Sequence, residues 1–293
     1  MTTFAKQSFS ASNCASFRPT YPRSLYDTVL AGQRDVCVEL GCGHGLISRA
    51  LAPHFAQVIG TDPSPGIVSQ SQLSSPPTSY SKVTFRQASA EWLLFLEDGS
   101  VDLIVAGQSA HWFDQSRLWP EMARVLRKGG TLAFWGYKDN VFVKWPYATK
   151  LLHKMTSPFT NDLETLGPYW EPGRKIVVRK LRDVVPPSDM FEDETRIEYE
   201  PNMDGKGKGS GEGTLFVQAR MTVEGFKEYL RTFSSVHSWQ EKHPDNVKRS
   251  AGGNGDFVDL LFDRASEKED IWKHEEEEVD VEWGSALLMA RKK

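Results

Sequence analysis

A carboxylate followed by three alternating glycines is the segment of this chain best suited to bind a ligand. Residues 38–45 read Val-Glu-Leu-Gly-Cys-Gly-His-Gly, so Glu39 precedes Gly41, Gly43 and Gly45. Glycine lets a backbone turn sharply and lets a ligand approach its N–H groups without a Cβ clash. The spacing matches neither the dinucleotide fingerprint nor the phosphate loop with its Lys-Ser or Lys-Thr pair. A carboxylate before the turn instead favours a ligand with positive charge, such as an amino group or a sulfonium.

A second carboxylate, Asp62, ends the next predicted strand, roughly 20 residues past the glycine turn, where it can accept hydrogen bonds from ribose hydroxyls. After the third strand, Ser89 and Ala90 are small enough for a flat base to lie near the backbone. Together these features predict S-adenosylmethionine as the cofactor and S-adenosylhomocysteine as its product. For Glu39 and Asp62 the alternative is simple helix capping. The predicted cofactor-binding residues are Glu39, Gly41, Cys42, Gly43, Asp62, Ser89, Ala90 and Gln108.

Short apolar runs alternate with helix-like stretches in the first half of the chain and must position these residues. Such alternation predicts an α/β fold, a doubly wound and mostly parallel sheet with helices on both faces. Ser64 and Pro65 form a typical helix start. We expect strands at 35–40, 57–62, 82–88, 101–106 and 131–137, and helices at 44–53, after Ser64, and at 115–127.

The alternation stops after Tyr137. Residues 138–213 have no regular period apart from a predicted strand at 195–200, and their last part, 201–213, is a glycine-rich loop. We therefore predict one domain, 1–293, with an inserted substrate cap at 138–213 and a return of 214–293 to the core sheet. The returning part is expected to contain helices at 222–239 and 256–266 and a closing strand or antiparallel pair of strands at 278–290.

Composition narrows the classes of partner. The formal net charge of −4 disfavours a nucleic-acid substrate. No run of about 18 apolar residues is present, so no membrane partner is expected. Three cysteines, Cys14, Cys37 and Cys42, cannot form a disulfide framework and fit a reducing, cytoplasmic location. No His or Cys cluster has metal-ligand spacing. We expect a monomer that acts on a small molecule.

Motifs over most of the chain resemble the class I S-adenosylmethionine-dependent methyltransferases, and more closely the fungal trans-aconitate methyltransferase family. The resemblance implies a Rossmann-like fold and an O-methyltransferase acting on a small carboxylic acid or a secondary metabolite. The motifs are residues 38–45, Asp62, Phe17-Arg18-Pro19-Thr20-Tyr21-Pro22, Ala110-His111-Trp112-Phe113-Asp114, Trp135-Gly136-Tyr137, residues 167–174 (Gly-Pro-Tyr-Trp-Glu-Pro-Gly-Arg) and Tyr229-Leu230-Arg231-Thr232.

Two other functions stay open. One is a protein of the same fold that binds the cofactor but guides a rearrangement or cyclisation of a natural product without methyl transfer. The other is a non-catalytic cofactor-binding or partner-binding protein. Product analysis separates the first from a methyltransferase, because only methyl transfer accumulates S-adenosylhomocysteine.

The acceptor is expected at the carboxyl ends of the strands, where ligands bind in doubly wound sheets. His111 is the catalytic candidate, either as a general base, as a neutral hydrogen-bond partner in the pocket, or as a structural residue. A carboxylate acceptor is ionised at neutral pH and needs no base. The reaction is then an in-line displacement in which the protein aligns and desolvates the reactants. Substrate-binding candidates are Arg18, Trp112, Tyr137, Trp170, Arg174 and Arg231; each arginine either clamps a carboxylate or forms an ordinary salt bridge.

Overall fold

The computed structural model describes residues 17–30 and 35–293. Cys14, one of the cysteines considered above, lies outside these residues. The described chain forms two compact units. The sheet unit contains residues 21–137, 176–198 and 285–293, and the second unit contains 17–20, 138–175 and 199–284.

A parallel sheet organises the sheet unit. Its strands are β1 (Val36–Leu40), β2 (Gln57–Asp62), β3 (Val83–Gln87), β4 (Val101–Gly107) and the first part of β5 (Leu126–Phe142). They pair in parallel in the order β3-β2-β1-β4-β5. The order reverses between β1 and β4, and the crevice at such a switch point is where open α/β sheets bind ligands. The predicted α/β fold is therefore confirmed, and the glycine turn after β1 lies beside this switch point.

One helix, α1 (Arg23–Val29), precedes β1. Three helices lie between strands of the sheet: α2 (Leu46–Leu51), α3 (Pro65–Leu73) and α4 (Gln115–Val125). Ser64 caps α3 as predicted, because its Oγ accepts a hydrogen bond from the Ile67 N–H. The predicted end of α4 at residue 127 is wrong, since Leu126 already pairs with Val101 as the first residue of β5. The strand β5 is correspondingly longer than the predicted 131–137.

The second unit surrounds an aromatic core. It contains α5 (Pro146–Thr156), α7 (Val223–Arg231), α8 (Ser234–Lys242) and α9 (Phe257–Ser266); the short α6 (Arg174–Val178) begins here and continues into the sheet unit. Phe142, Phe226, Phe262 and Trp272 pack ring against ring between these helices. Thr222 caps α7, because its Oγ1 accepts a hydrogen bond from the Gly225 N–H, but the predicted single helix 222–239 is two helices. The chain turns between them at Thr232 and Phe233, whose N–H groups bond Tyr229 and Leu230 in a tight turn.

The remaining four strands are β6 (Phe191–Glu200), β7 (Glu212–Gly213), β8 (Gln218–Thr222) and β9 (Glu278–Lys292). Of these, β6 and β9 have residues in both units, and β7 and β8 lie in the second unit. In the second unit β7 pairs antiparallel with the end of β6, and β8 with the start of β9. In the order of strands across the sheet, β9 follows β5, and β6 follows β9.

The two units do not follow the predicted cap boundaries. Residues 176–198 lie in the sheet unit, and 214–284 lie in the second unit. The organisation of 1–293 as one domain stays a prediction. Among the residues that the structure describes, no helix combines the length and hydropathy needed to cross a bilayer.

Candidate active site

The glycine turn after β1 leaves backbone open to a ligand at one position. Gly41, Gly43 and Gly45 all have positive φ, at 65°, 54° and 73°. A Cβ at position 41 would lie 2.6 Å from the Cβ of Ser109, so the backbone there is closely packed. At Gly43, no atom of the described residues other than its chain neighbours lies within 4 Å of the Cβ position. The turn therefore presents the Gly43 backbone to open space, as a cofactor would require.

Glu39 lies just before the turn and is almost fully buried, with 1% of its surface exposed. Its Oε2 accepts hydrogen bonds from the N–H of Ser48, at 2.7 Å, and from the Ser48 hydroxyl, so it caps the first turn of α2. Burial raises the pKa of the Glu39 carboxyl to about 8. The two hydrogen bonds from Ser48 fit the helix-capping role of Glu39. A cation bound nearby would lower the pKa of the carboxyl and ionise it. The predicted contact of Glu39 with a cationic ligand stays a prediction.

Asp62 ends β2 and contacts the turn directly. Its Oδ2 accepts from the Gly43 N–H at 3.3 Å and its Oδ1 from the Ser64 N–H at 2.9 Å. The carboxyl is 8% exposed, and burial raises its pKa above the ordinary value. The arrangement brings a hydrogen-bond acceptor to the edge of the open space at Gly43, where a ribose could use it.

The other predicted cofactor residues contribute mainly backbone. The Cys42 N–H donates to the carbonyl of Thr61, and burial raises the pKa of the Cys42 thiol well above its usual range. Ala88 donates its N–H to the Asp62 carbonyl, which draws the segment containing Ser89 and the buried Ala90 towards the end of β2. A flat base beside Ser89 and Ala90 would thus adjoin the ribose position at Asp62.

Gln108, at the end of β4, uses its side chain within the protein. Its Nε2 donates to the carbonyl of Tyr137 at 2.9 Å, and its Oε1 accepts the Tyr137 N–H at 2.8 Å. The predicted direct contact of this amide with the cofactor is therefore not favoured by the geometry. The following turn, Ala110–Trp112, carries the half-buried His111 and Trp112 with ring centroids 4.5 Å apart.

An aromatic cluster in the sheet unit lies around Trp135, next to the predicted substrate residue Tyr137. Tyr21 contacts the Trp135 ring edge-on at 5.5 Å and Tyr137 at 6.5 Å, and Tyr26 contacts Trp135 at 6.4 Å. Burial and, secondarily, the charge of Glu39 raise the pKa of Tyr26. No sequence pattern singled out Tyr26, because it is one position on a short helix.

Arg174, a predicted carboxylate clamp, has one guanidinium N–H that no described residue accepts. It is 9% exposed, its Nη2 contacts the Asp139 carboxylate, and its guanidinium lies 4.5 Å from the Trp170 ring and 5.8 Å from that of Phe233. Its Nε is buried and has no hydrogen-bond partner among the described residues. Trp170 is itself fixed, because its Nε1 donates to the Thr156 carbonyl at 2.7 Å.

Two further buried donors of the second unit were missed by the sequence analysis. Asn140 Nδ2 and Ser235 Oγ also lack a hydrogen-bond partner within the described part of the chain. Unpartnered buried polar atoms are uncommon in folded proteins and call for a ligand, a water or an ion. Asn140 is adjacent in sequence to the Arg174 partner Asp139, and Ser235 follows Phe233 by two positions, but a lone Asn or Ser carries no sequence signal.

The two other predicted arginine clamps are engaged by protein. Arg18 donates from Nη2 to the carbonyl of Thr232. Arg231 is enclosed by three carboxylates: Asp256 accepts from its Nε and Nη2, Asp259 from Nη2 and Glu228 from Nη1. This network favours the salt-bridge interpretation of Arg231 over a substrate clamp.

No group of His, Cys, Asp and Glu residues in the described ranges, 17–30 and 35–293, could hold a metal ion. The side chains at the switch point of the sheet, among them Asp62 and His111, can hold reactants in place and exchange protons with them.

Comparison with known proteins agrees with this geometry. The sequence profile of a methyltransferase domain family matches residues 38–134, which span the glycine turn and β1 to β5. A Schizosaccharomyces pombe methyltransferase-like protein is 32% identical over 78% of both chains. A Saccharomyces cerevisiae protein named as a probable S-adenosylmethionine-dependent methyltransferase is 27% identical over 100% of this chain and 99% of its own. A solved structure from Anaeromyxobacter dehalogenans, assigned as a type II methyltransferase, is similar with a TM-score of 0.67, 25% identity and coverage of 94% and 98% of the two chains.

Proposed function

Because this chain belongs to the class I S-adenosylmethionine-dependent methyltransferases, we propose that it transfers the methyl group of that cofactor to a carboxylate oxygen of a small organic acid. The cofactor part rests on one observation above all: the positive-φ glycine turn leaves the Gly43 backbone open directly beside the carboxylate of Asp62. The trans-aconitate methyltransferase resemblance supplies the acceptor class, a small carboxylic acid rather than a nucleic acid.

Three groups of the sheet unit would hold the cofactor. The open backbone at Gly43 lets it approach, and Asp62 accepts hydrogen bonds from the ribose. Glu39, which is neutral in the protein without cofactor, ionises when the cationic methionine end binds beside it, because a nearby positive charge lowers its raised pKa. When bound, the cofactor supplies an electrophilic methyl carbon on a positively charged sulfur. The residues Ser89 and Ala90 flank the position of the base.

Within the second unit, taken by itself, three buried donors support a carboxylate ligand. Arg174 Nε, Asn140 Nδ2 and Ser235 Oγ can each donate a hydrogen bond and have no partner among the described residues. An ionised carboxylate, whose two oxygens only accept, could accept from such donors. The Trp170 ring lies 4.5 Å from the Arg174 guanidinium and partly desolvates it, which strengthens charge-assisted hydrogen bonds.

With a carboxylate as the acceptor, the reaction needs no general base. The carboxylate is already ionised at neutral pH, so no residue has to remove a proton before its oxygen attacks. His111 then acts as a pocket residue beside Trp112 rather than as a general base. Alignment of two bound reactants accounts for on the order of 7–11 kcal/mol of barrier lowering, and exclusion of water leaves the carboxylate more nucleophilic. We propose that a single copy of the chain carries out this reaction.

The test is product analysis with a panel of acceptors. The protein is incubated with S-adenosylmethionine and with mono-, di- and tricarboxylic acids, phenols and alcohols, and products are identified by mass spectrometry. We expect methyl esters, cleaved by mild base, in equal amount to S-adenosylhomocysteine. Base-stable methyl ethers, or S-adenosylhomocysteine that never forms with any acceptor, would overturn the proposal.

Paired arginine variants test the role of Arg174. Arg174→Met should raise the KM for the acid and leave the affinity for S-adenosylhomocysteine unchanged. Arg249→Met is the matched control, because Arg249 pairs with Asp263 on the surface of the same unit. Equal acceptor KM values for the two variants would remove Arg174 from the acceptor site.

A further inference from the structure

The backbone at Gln108 adopts a conformation that its residue type does not favour. Its φ is 57°, in the left-handed region that glycine, asparagine and aspartate enter most readily. Its N–H donates to the carbonyl of Trp135 at 2.8 Å, so the left-handed residue is joined to β5 by its own backbone. An unfavoured conformation at the end of a strand persists only where surrounding contacts impose it.

The side chain of Gln108 imposes it by bridging both backbone groups of one residue. Its amide donates to the Tyr137 carbonyl at 2.9 Å and accepts from the Tyr137 N–H at 2.8 Å. The contact is close, because a Cβ at Gly136 would lie 3.0 Å from the Gln108 Oε1. Gln108 thus takes the place of a neighbouring strand for Tyr137, at the point where β4 ends and β5 continues.

This bridge continues through the next residue to the glycine turn. Ser109 donates from Oγ to the Leu40 carbonyl at 2.7 Å, and its Cβ lies where a side chain at Gly41 would be. The carboxyl ends of β1 and β4 are therefore joined to each other and to Tyr137 within β5 by two consecutive side chains, Gln108 and Ser109.

We infer that Gln108 is a positioning residue that sets the glycine turn through Ser109 and does not itself touch the cofactor. The inference rests on the proposed function, since it concerns the same cofactor site. A carboxamide suits this role because it holds a donor and an acceptor side by side and can bond the carbonyl and the N–H of one residue. Its length is needed because the bridge must span from a left-handed residue at the end of β4 to Tyr137.

Gln108→Asn tests the bridge without adding conformational strain at the positive φ of this position. Asparagine keeps the amide and tolerates a positive φ, but it is one methylene too short to reach both Tyr137 groups. In the protein without ligand we expect hydrogen exchange at the Tyr137 amide to accelerate at least about tenfold. The Kd for S-adenosylhomocysteine, measured by calorimetry, should rise about tenfold.

Two other variants make the result specific. Gln108→Glu keeps the length and the acceptor for the Tyr137 N–H but sets a carboxylate oxygen against the Tyr137 carbonyl, so its exchange rate and Kd should also exceed those of wild type. Gln115→Asn is the matched control, since the exposed Gln115 amide likewise donates to a carbonyl, that of Asp183, and accepts from an N–H, that of Val185. It should accelerate exchange at Val185 without changing the Kd.

Each other outcome overturns the inference. A raised Kd with unchanged Tyr137 exchange would mean that Gln108 contacts the cofactor directly. Faster exchange with an unchanged Kd would mean that the bridge is only structural. No change in either would mean that the bridge is not formed. If wild type itself does not bind S-adenosylhomocysteine, the proposed function fails instead, which is a separate result.

Discussion

Replacing Glu39 by glutamine separates its charge from its helix-capping contact. The Glu39 Oε2 accepts two hydrogen bonds from Ser48, and a glutamine oxygen can accept the same two bonds in the same volume. The carboxyl is buried without a basic side chain bonded to it among the described residues, and burial raises its pKa from the ordinary 4.5 to about 8. The substitution therefore replaces a carboxyl group, whose ionised form is destabilised by burial in the folded protein, with a group that does not ionise.

The sign and size of the effect follow from linkage between protonation and folding. Between pH 4.5 and about 8 the folded protein keeps the proton on Glu39, whereas the unfolded chain releases it. Folding stability is then lost as pH rises, by about 1.4 kcal/mol for each pH unit of the interval. Over the whole interval the free energy of unfolding should fall by about 5 kcal/mol relative to a chain with a neutral residue there.

Urea unfolding of wild type and Glu39→Gln, without cofactor, measures this difference from about pH 5 to about pH 9. We expect the variant to gain stability relative to wild type as pH rises, with the difference levelling off above about pH 8. Titrating groups distant from Glu39 are common to both proteins and cancel in the difference. The charge of Asp62 is one of the causes that raise the pKa of Glu39, so its effect is part of the measured difference. Parallel stability curves over the whole range would refute the claim that Glu39 is buried as a neutral acid.

Three further substitutions have distinct expected outcomes. Asp62→Ala should weaken S-adenosylmethionine binding about tenfold by calorimetry, because ribose hydrogen bonds to a carboxylate are lost, whereas the exposed Asp98→Ala should not change it. Gly43→Ala should cost about 1–2 kcal/mol of stability from its positive φ and should also block the cofactor, since the new Cβ enters the open space. Arg231→Met should cost about 3–5 kcal/mol in urea unfolding, because it leaves buried carboxylates unpaired, with no change in cofactor affinity.

Local signals in the sequence were enough for the fold and the cofactor site. Apolar runs buried on both faces identify β1 and β2, and alternating glycines after a strand identify a ligand-binding turn, because few residues tolerate positive φ. Ser64 before Pro65 identifies the start of α3 for the same local reason. The end of α4 was misplaced because pairing of Leu126 with Val101, a contact distant in sequence, overrides helical periodicity.

Long-range partners could not be predicted. Arg231 has the residue type of a carboxylate clamp, and only the fold reveals that Asp256 and Asp259 already enclose it. Gln108 follows β4 as a cofactor residue would, and its bridge to Tyr137 depends on where β5 passes. The buried donors of Asn140 and Ser235 become noticeable only once their surroundings are known.

The central claim is that the turn from Glu39 to Gly45 holds S-adenosylmethionine. A crystal structure of the protein with S-adenosylhomocysteine tests it most directly. The account predicts the ligand over the Gly43 backbone, with its ribose hydroxyls within hydrogen-bond distance of the Asp62 carboxylate. Ligand density elsewhere, with this turn left empty, would contradict the account.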